Sequence, residues 1–156
     1  MLRAINIGGK TLKRVLFVCI HNSGRSQMAE AFANRLGPGV IEAESAGTAP
    51  ADAINPIVVQ AMREIGYDLE GQYPKLMTNE MLDMADLVVT MGCGVNLDSP
   101  EQNGAVCPVV LVESENWNLE DPKDKSIADV RKIRDQVKTK VEELVEKLKT
   151  EVQQHE

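Results

Sequence analysis

Aromatic side chains are scarce in this chain of 156 residues: one Trp, two Tyr and two Phe, 3% of the total. A site that must clasp a large aromatic ligand between rings has few walls to draw on. Histidine is rarer still. Only His21 and His155 occur, and no Cys/His spacing suggests a zinc site, so no metal is expected. Cysteine occurs three times, an odd number that suits no structural disulfide framework. An excess of basic charge is missing too. The formal charge is −7, which gives no sign of a nucleic-acid surface and leaves any anion-binding field to be local. No apolar run approaches the ~20 residues that cross a bilayer. The apolar stretch in the first thirteen residues is too short for a signal peptide. The expectation is a cytoplasmic monomer without nucleic-acid or membrane partners.

What is present is an alternation of strand and helix signals. Val15-Leu16-Phe17-Val18 is a short apolar run that reads as a buried strand. From Ser26 to Leu36, Met28, Ala29, Phe32, Ala33 and Leu36 share one helical face. A second strand is expected over Val40–Glu44, after the turn Gly37-Pro38-Gly39. Pro56 opens a helix that stops at Gly66, and Thr78 caps a short helix over Asn79–Met84. Leu87–Met91 reads as a third strand and Pro108–Val112 as a fourth. One long helix runs from Ser126 to about Gln153, with Ile127, Val130, Ile133, Val137, Val141, Leu144 and Leu148 as its buried stripe. This is an α/β pattern: a four-stranded parallel sheet flanked by helices on both faces. The chain is long enough for one domain with a real core. That domain is expected over 13–150, with an N-terminal extension over 1–12 and a frayed tail over 151–156.

In such sheets ligands sit beyond the carboxyl ends of the strands. There the sequence reads Cys19-Ile20-His21-Asn22-Ser23-Gly24-Arg25-Ser26, a loop between a strand end and a helix start. A helix N-terminus offers N–H groups and a positive dipole end to an anion. Arg25 adds a planar fork for a tetrahedral oxyanion. The same field favours Cys19 as a thiolate nucleophile, with Ser26 placed to donate to it. Asn22 and Gly24 suit left-handed or tight-turn backbone. His21 reads as a spacer whose N–H matters more than its ring. The bland alternative is a buried structural cysteine near an unrelated surface arginine. Gly92-Cys93-Gly94 follows the third strand directly, and Cys107 comes fourteen residues later, across a turn-rich stretch. The bland alternative for each is a buried cysteine at a strand edge.

The stretch from Val15 to Phe32, VLFVCIHNSGRSQMAEAF, resembles the opening of the low-molecular-weight protein tyrosine phosphatase superfamily, and more narrowly the thiol-dependent arsenate reductases built on that fold. The likeness runs on through Glu44-Ser45-Ala46-Gly47-Thr48, Gly71-Gln72-Tyr73-Pro74-Lys75, Asp86-Leu87-Val88-Val89-Thr90-Met91 and Trp117 to Pro122. It implies a flavodoxin-like three-layer sandwich. It implies that the backbone from Ile20 to Ser26 cradles arsenate, with phosphate as a competing oxyanion. Cys19 would attack arsenic, Cys93 would attack the Cys19 sulfur, and Cys107 would then attack Cys93. Thioredoxin, or glutaredoxin or a small thiol, would supply electrons, with no tightly bound cofactor. Asp121 takes the place of the general acid, with Glu120 as a local competitor. Asn22, Glu30 and Ser45 match positions that tie the loop down, in some members around a potassium ion. Lys75 stands where a carboxylate completes that ion site, so its ammonium is expected to replace the metal.

Two departures matter. The last two cysteines of the related reductases lie closer in sequence, which leaves open whether Cys107 is the third thiol or an external thiol finishes the cycle from Cys93. Lys123-Asp124 follows Asp121-Pro122, where the tyrosine phosphatases usually carry aromatics. A small inorganic ion is thereby favoured over a phenol ester. A phosphatase needing only Cys19, Arg25 and Asp121 is the alternative. An oxyanion-binding module without turnover is a third reading, which an intact Asp121 argues against.

Overall fold

The computed structural model describes residues 12–91 and 113–154. Its elements are β1 (Lys13–Cys19), α1 (Arg25–Leu36), β2 (Ile41–Gly47), α2 (Pro56–Arg63), α3 (Asn79–Met84), β3 (Leu87–Thr90), β4 (Glu113–Asn116) and α4 (Ile127–Gln154). The strands form one parallel sheet in the order β2-β1-β3-β4.

The central strand is apolar on both faces because helices cover both. Val15, Phe17 and Cys19 of β1 point into a core shared with α1, α2 and α4, where Met28, Phe32, Met62, Ile133 and Val137 are buried. Leu16 and Val18 point the other way, onto Leu82 of α3. Each such large apolar side chain contributes about 1.5–3 kcal/mol when fully buried. The stripe expected on α4 is the one observed, with Ile127 only partly buried and Val145 added to it. Local signals set the helix starts. Asn55 accepts from the Ile57 N–H and Pro56 fills the first turn of α2. Thr78 accepts from the Met81 N–H to cap α3. Gly66, at φ +82°, carries the chain away after α2.

Some boundaries differ from the sequence reading, among them the end of α2 at Arg63, short of the expected stop at Gly66. β2 continues past Glu44 to Gly47, because Ser45, Ala46 and Gly47 still pair with Phe17, Val18 and Cys19. The expected strand Pro108–Val112 lies outside the described residues, and β4 begins immediately after it at Glu113. α4 ends at Gln154, within one residue of the expected Gln153.

The outer side of β2 is occupied by polar groups. The Asn34 amide bonds both the N–H and the C=O of Ala43, at 2.8 and 3.1 Å. The Glu30 carboxylate takes the Ser45 hydroxyl at 2.7 Å and also bonds the Ser45 main chain. Gly47 bonds the Lys75 carbonyl and the Met77 N–H. Glu30 and Asn34 reach the strand together because residues four apart share a helix face.

The chain passes from β1 to β2 on one side and later to β3 on the other. The carboxyl end of β1 is therefore the point where the winding reverses, the ligand position of such sheets. Cys19 is its last residue.

Candidate active site

The loop after β1 is held from outside by its carbonyls. The carbonyl oxygens of Cys19, Ile20, His21 and Ser23 accept from the N–H groups of Thr48, Ala49, Ala51 and Asn55, at 3.2, 2.8, 2.9 and 2.9 Å. That of Asn22 accepts from Gln27 Nε2 at 2.9 Å, and that of Gly24 from the Met28 N–H at 3.0 Å. In a planar trans peptide the N–H points opposite the C=O. Six carbonyls turned to the scaffold thus turn the following N–H groups toward the loop's interior, a concave nest for an anion. α1 adds its own amides. Its first residue is Arg25, its cap Gly24 makes no side-chain hydrogen bond, and its first turn has no acidic residue. Asn22 takes the left-handed backbone expected of it, at φ +50°.

Cys19 is buried with its sulfur facing this nest. Sγ accepts from the Asn22 N–H at 3.2 Å and lies 2.8 Å from Ser26 Oγ. Arg25 is also buried, at 3% exposure. Its Nη1 donates to the carbonyls of Met91 and Leu119, both at 2.9 Å, which fixes the plane of the fork. Its Nη2 stands 3.7 Å from Asp121 Oδ2.

Asp121 reaches this position through the packing of its loop. The Trp117 indole stacks on Phe17 of β1 with centroids 5.5 Å apart, and the Trp117 N–H extends the ladder to Thr90 at 2.7 Å. Leu119 is buried beside it. Asp121 Oδ1 accepts from the Lys123 N–H at 3.0 Å. The Asp121 side chain is about one-third exposed. Glu120 points to solvent.

The sequence-predicted residues are not all gathered in one place. Cys19, Asn22, Arg25, Ser26 and Asp121 come together around the loop. The His21 ring lies 3.3 Å from the Ala49 carbonyl, in keeping with a spacer. Glu30 and Ser45 pair with each other at the β2 edge. Burial pushes the Glu30 carboxyl up, while the Ser45 hydroxyl bond and the Lys75 charge pull it down less strongly. Lys75 touches the loop through its backbone N–H, 3.0 Å from Asn22 Oδ1, while its ammonium pairs with Glu44 at 3.2 Å. Cys93 and Cys107 lie outside the described residues. Among the described residues no cluster of three His, Cys, Asp or Glu could hold a metal ion.

Sequence reasoning missed Gln27 and Gln72. Gln27 is fully buried directly behind the loop and donates to Asn22, and Gln72 donates to Gln27. The sequence carries no signal for either, since a buried amide is told from a surface one only by its partners.

Residues 14–154 match the family model described as low molecular weight phosphotyrosine protein phosphatase. The chain belongs to that family. Within the low molecular weight phosphatase family it is 41% identical to the glutaredoxin arsenate reductase of Synechocystis sp., over 88% of this chain and 99% of that one. A solved arsenate reductase in its phosphate-binding state shares 41% identity and a TM-score of 0.74, over 87% of this chain and 98% of the other. A thioredoxin-dependent arsenate reductase from Corynebacterium glutamicum gives 30% and 0.72, covering 90% of this chain and 63% of that one. The YwlE arginine phosphatase from Geobacillus stearothermophilus gives 28% and 0.79, over 92% and 97%. The family's parallel α/β fold is thus shared between reductases and phosphatases.

Proposed function

We propose that this protein reduces arsenate to arsenite. Arsenate enters the nest between the Cys19–Ser26 loop and Arg25. The Cys19 thiolate attacks arsenic, and Asp121 protonates the oxygen that leaves as water. Cys93 then attacks the Cys19 sulfur. A sulfur–sulfur bond forms, the sulfur–arsenic bond breaks, and its electron pair stays on arsenic, which departs as arsenite. Cys107 attacks Cys93 and frees Cys19, leaving a Cys93–Cys107 disulfide for an external dithiol. Thioredoxin is the donor proposed, with glutaredoxin or a small thiol as the other route. The likeness to a thioredoxin-dependent and to a glutaredoxin arsenate reductase supports both kinds of coupling. The protein would act as a cytoplasmic monomer.

The observation that carries reduction over hydrolysis is the 41% identity to an arsenate reductase across nearly that whole protein. The ring inventory agrees. Phe17, Phe32, Tyr67 and Trp117 are buried in the core, and only Tyr73 is exposed, so aromatic walls for a phenol ester are lacking.

Hydrolysis of a phosphate monoester is the second reading. It is favoured by one observation: Cys19, Arg25 and Asp121 make a complete phosphatase set without any further thiol. Arsenite formation by the purified protein, with thioredoxin, with glutaredoxin plus glutathione, or with no reductant, tests the proposal. Cys93→Ser should abolish arsenite formation while sparing hydrolysis of a small aryl phosphate. Sustained thioredoxin-driven turnover by Cys93→Ser would overturn the cascade.

A further inference from the structure

The hydrogen bonds behind the cradle run in one direction only, and that direction is fixed by the backbone. Asn22 Oδ1 accepts from the Lys75 peptide N–H at 3.0 Å. A peptide N–H only donates, so this contact decides which way the Asn22 amide faces. Its nitrogen must then point to Ser26 Oγ, 2.7 Å away. Ser26 Oγ accepts there and has a single proton left to give. The neighbouring acceptor is Cys19 Sγ at 2.8 Å.

The same logic extends away from the sulfur. Gln27 Nε2 faces two oxygens of Asn22, its carbonyl at 2.9 Å and Oδ1 at 3.1 Å, so Gln27 must present nitrogen to them. Gln27 Oε1 then accepts from Gln72 Nε2 at 2.8 Å, and the Gln27 carbonyl accepts from the same nitrogen at 3.1 Å. The result is a chain of four donations: Gln72 to Gln27, Gln27 to Asn22, Asn22 to Ser26, and Ser26 to the Cys19 sulfur. Gln27 and Asn22 have no exposed surface, so water cannot substitute for a missing partner. Aligned hydrogen bonds in such surroundings polarise one another.

We propose that Gln27 and Gln72 are positioning residues for the Cys19 nucleophile. They reinforce the amide orientation that the Lys75 N–H sets, the one that ends in a proton donor to sulfur, and thereby favour thiolate over thiol. The role depends only on Cys19 being the nucleophile and holds for reduction and hydrolysis alike.

The test uses the full chain carrying Cys93→Ser and Cys107→Ser, so that Cys19 is the only thiol. Iodoacetamide alkylation is followed across pH, together with thermal denaturation. Gln72→Glu replaces the donor by a carboxylate that only accepts. Gln72→Met removes the donor without adding charge. Arg25, His21 and Asp121, the charged or titratable groups of the loop and the acid segment, are unchanged in every arm. The expected result is an alkylation midpoint moved to higher pH by on the order of one unit in Gln72→Glu, about a tenfold loss of reactivity below it. Gln72→Met should show a smaller shift in the same direction. Ser26→Ala should match or exceed the larger shift. Alkylation profiles that overlay the parent in both Gln72 variants, with only the melting temperature lowered, would reduce the two glutamines to packing and overturn the proposal. If Gln72→Glu does not fold, the Gln72→Met profile decides. No arsenate enters the assay, so failure here is distinguishable from failure of the reductase reading.

Discussion

Pro122 lies against Gly24 so closely that a β-carbon at position 24 would stand 2.6 Å from Pro122 Cγ and 3.3 Å from Cδ. The backbone of Gly24 is not left-handed, at φ −142°. Glycine is required there by the approach of Pro122. The absence of one side chain sets how near Asp121 comes to the cradle.

Gly24→Ala should therefore push Pro122 outward and move Asp121 with it. A displacement near 1 Å at a reacting group costs up to 10²-fold. Turnover is expected to fall about 10- to 100-fold, read as arsenite formed per minute under saturating reductant. Circular dichroism should show the native helix content retained. Unchanged turnover would mean that Asp121 is not the acid.

Lys75 should make the protein indifferent to potassium. Its ammonium is paired with Glu44 and its charge reaches Glu30. Activity and melting temperature are expected to be the same in potassium and choline chloride at equal ionic strength. Lys75→Ala should lower the melting temperature, because Glu30 then loses the nearby positive charge. A rise in activity or melting temperature on adding potassium to the parent protein would show that a metal still binds.

Glu30 should oppose folding as it ionises. Burial raises its carboxyl above the ordinary range in the folded state, so the stability it contributes is complete below the unfolded value and is lost as pH rises through the folded one. Glu30→Gln removes that loss. Urea titrations should show the variant gaining on the parent as pH is raised from the ordinary carboxyl value of 4.5 to neutrality. A difference constant across that range would contradict the assignment.

Cys107→Ser separates the two ways of closing the redox cycle. With Cys107 as the third thiol, the variant should complete one turnover and then stall with thioredoxin, holding a Cys19–Cys93 disulfide that mass spectrometry of a peptide digest detects. Full multiple turnover with glutathione and glutaredoxin would assign the final step to an external thiol acting on Cys93.

Much of this site is legible in the sequence where chemistry and hydrophobic pattern coincide. The apolar run ending at Cys19 and the periodic helix after Arg25 place the loop without any coordinates. Asp121 is different. Nothing local to an Asp-Pro turn points to Arg25, and only the burial of Trp117 against Phe17 carries its loop there. β4 has no apolar alternation, since Glu113–Asn116 joins the sheet through main-chain pairing with Leu87–Thr90. The end of β2 hides for a similar reason: Ser45-Ala46-Gly47 shows no apolar alternation, yet β1 pairs with it residue by residue. Gln27 and Gln72 leave no periodic trace at all, because a satisfied buried amide looks like any surface glutamine until its partners are known.

Strand β2 closes one side of the sheet, and an open strand there would be a template on which another chain could add and grow into an aggregate. Asn34 imitates the next strand by giving and taking a hydrogen bond at Ala43, Glu30 serves Ser45, and the Lys75 and Met77 backbone serves Gly47. The outward face of β2 is spent within the molecule. Concentrated solutions should remain free of edge-to-edge fibres from this side, and Asn34→Ala would reopen the docking point at Ala43.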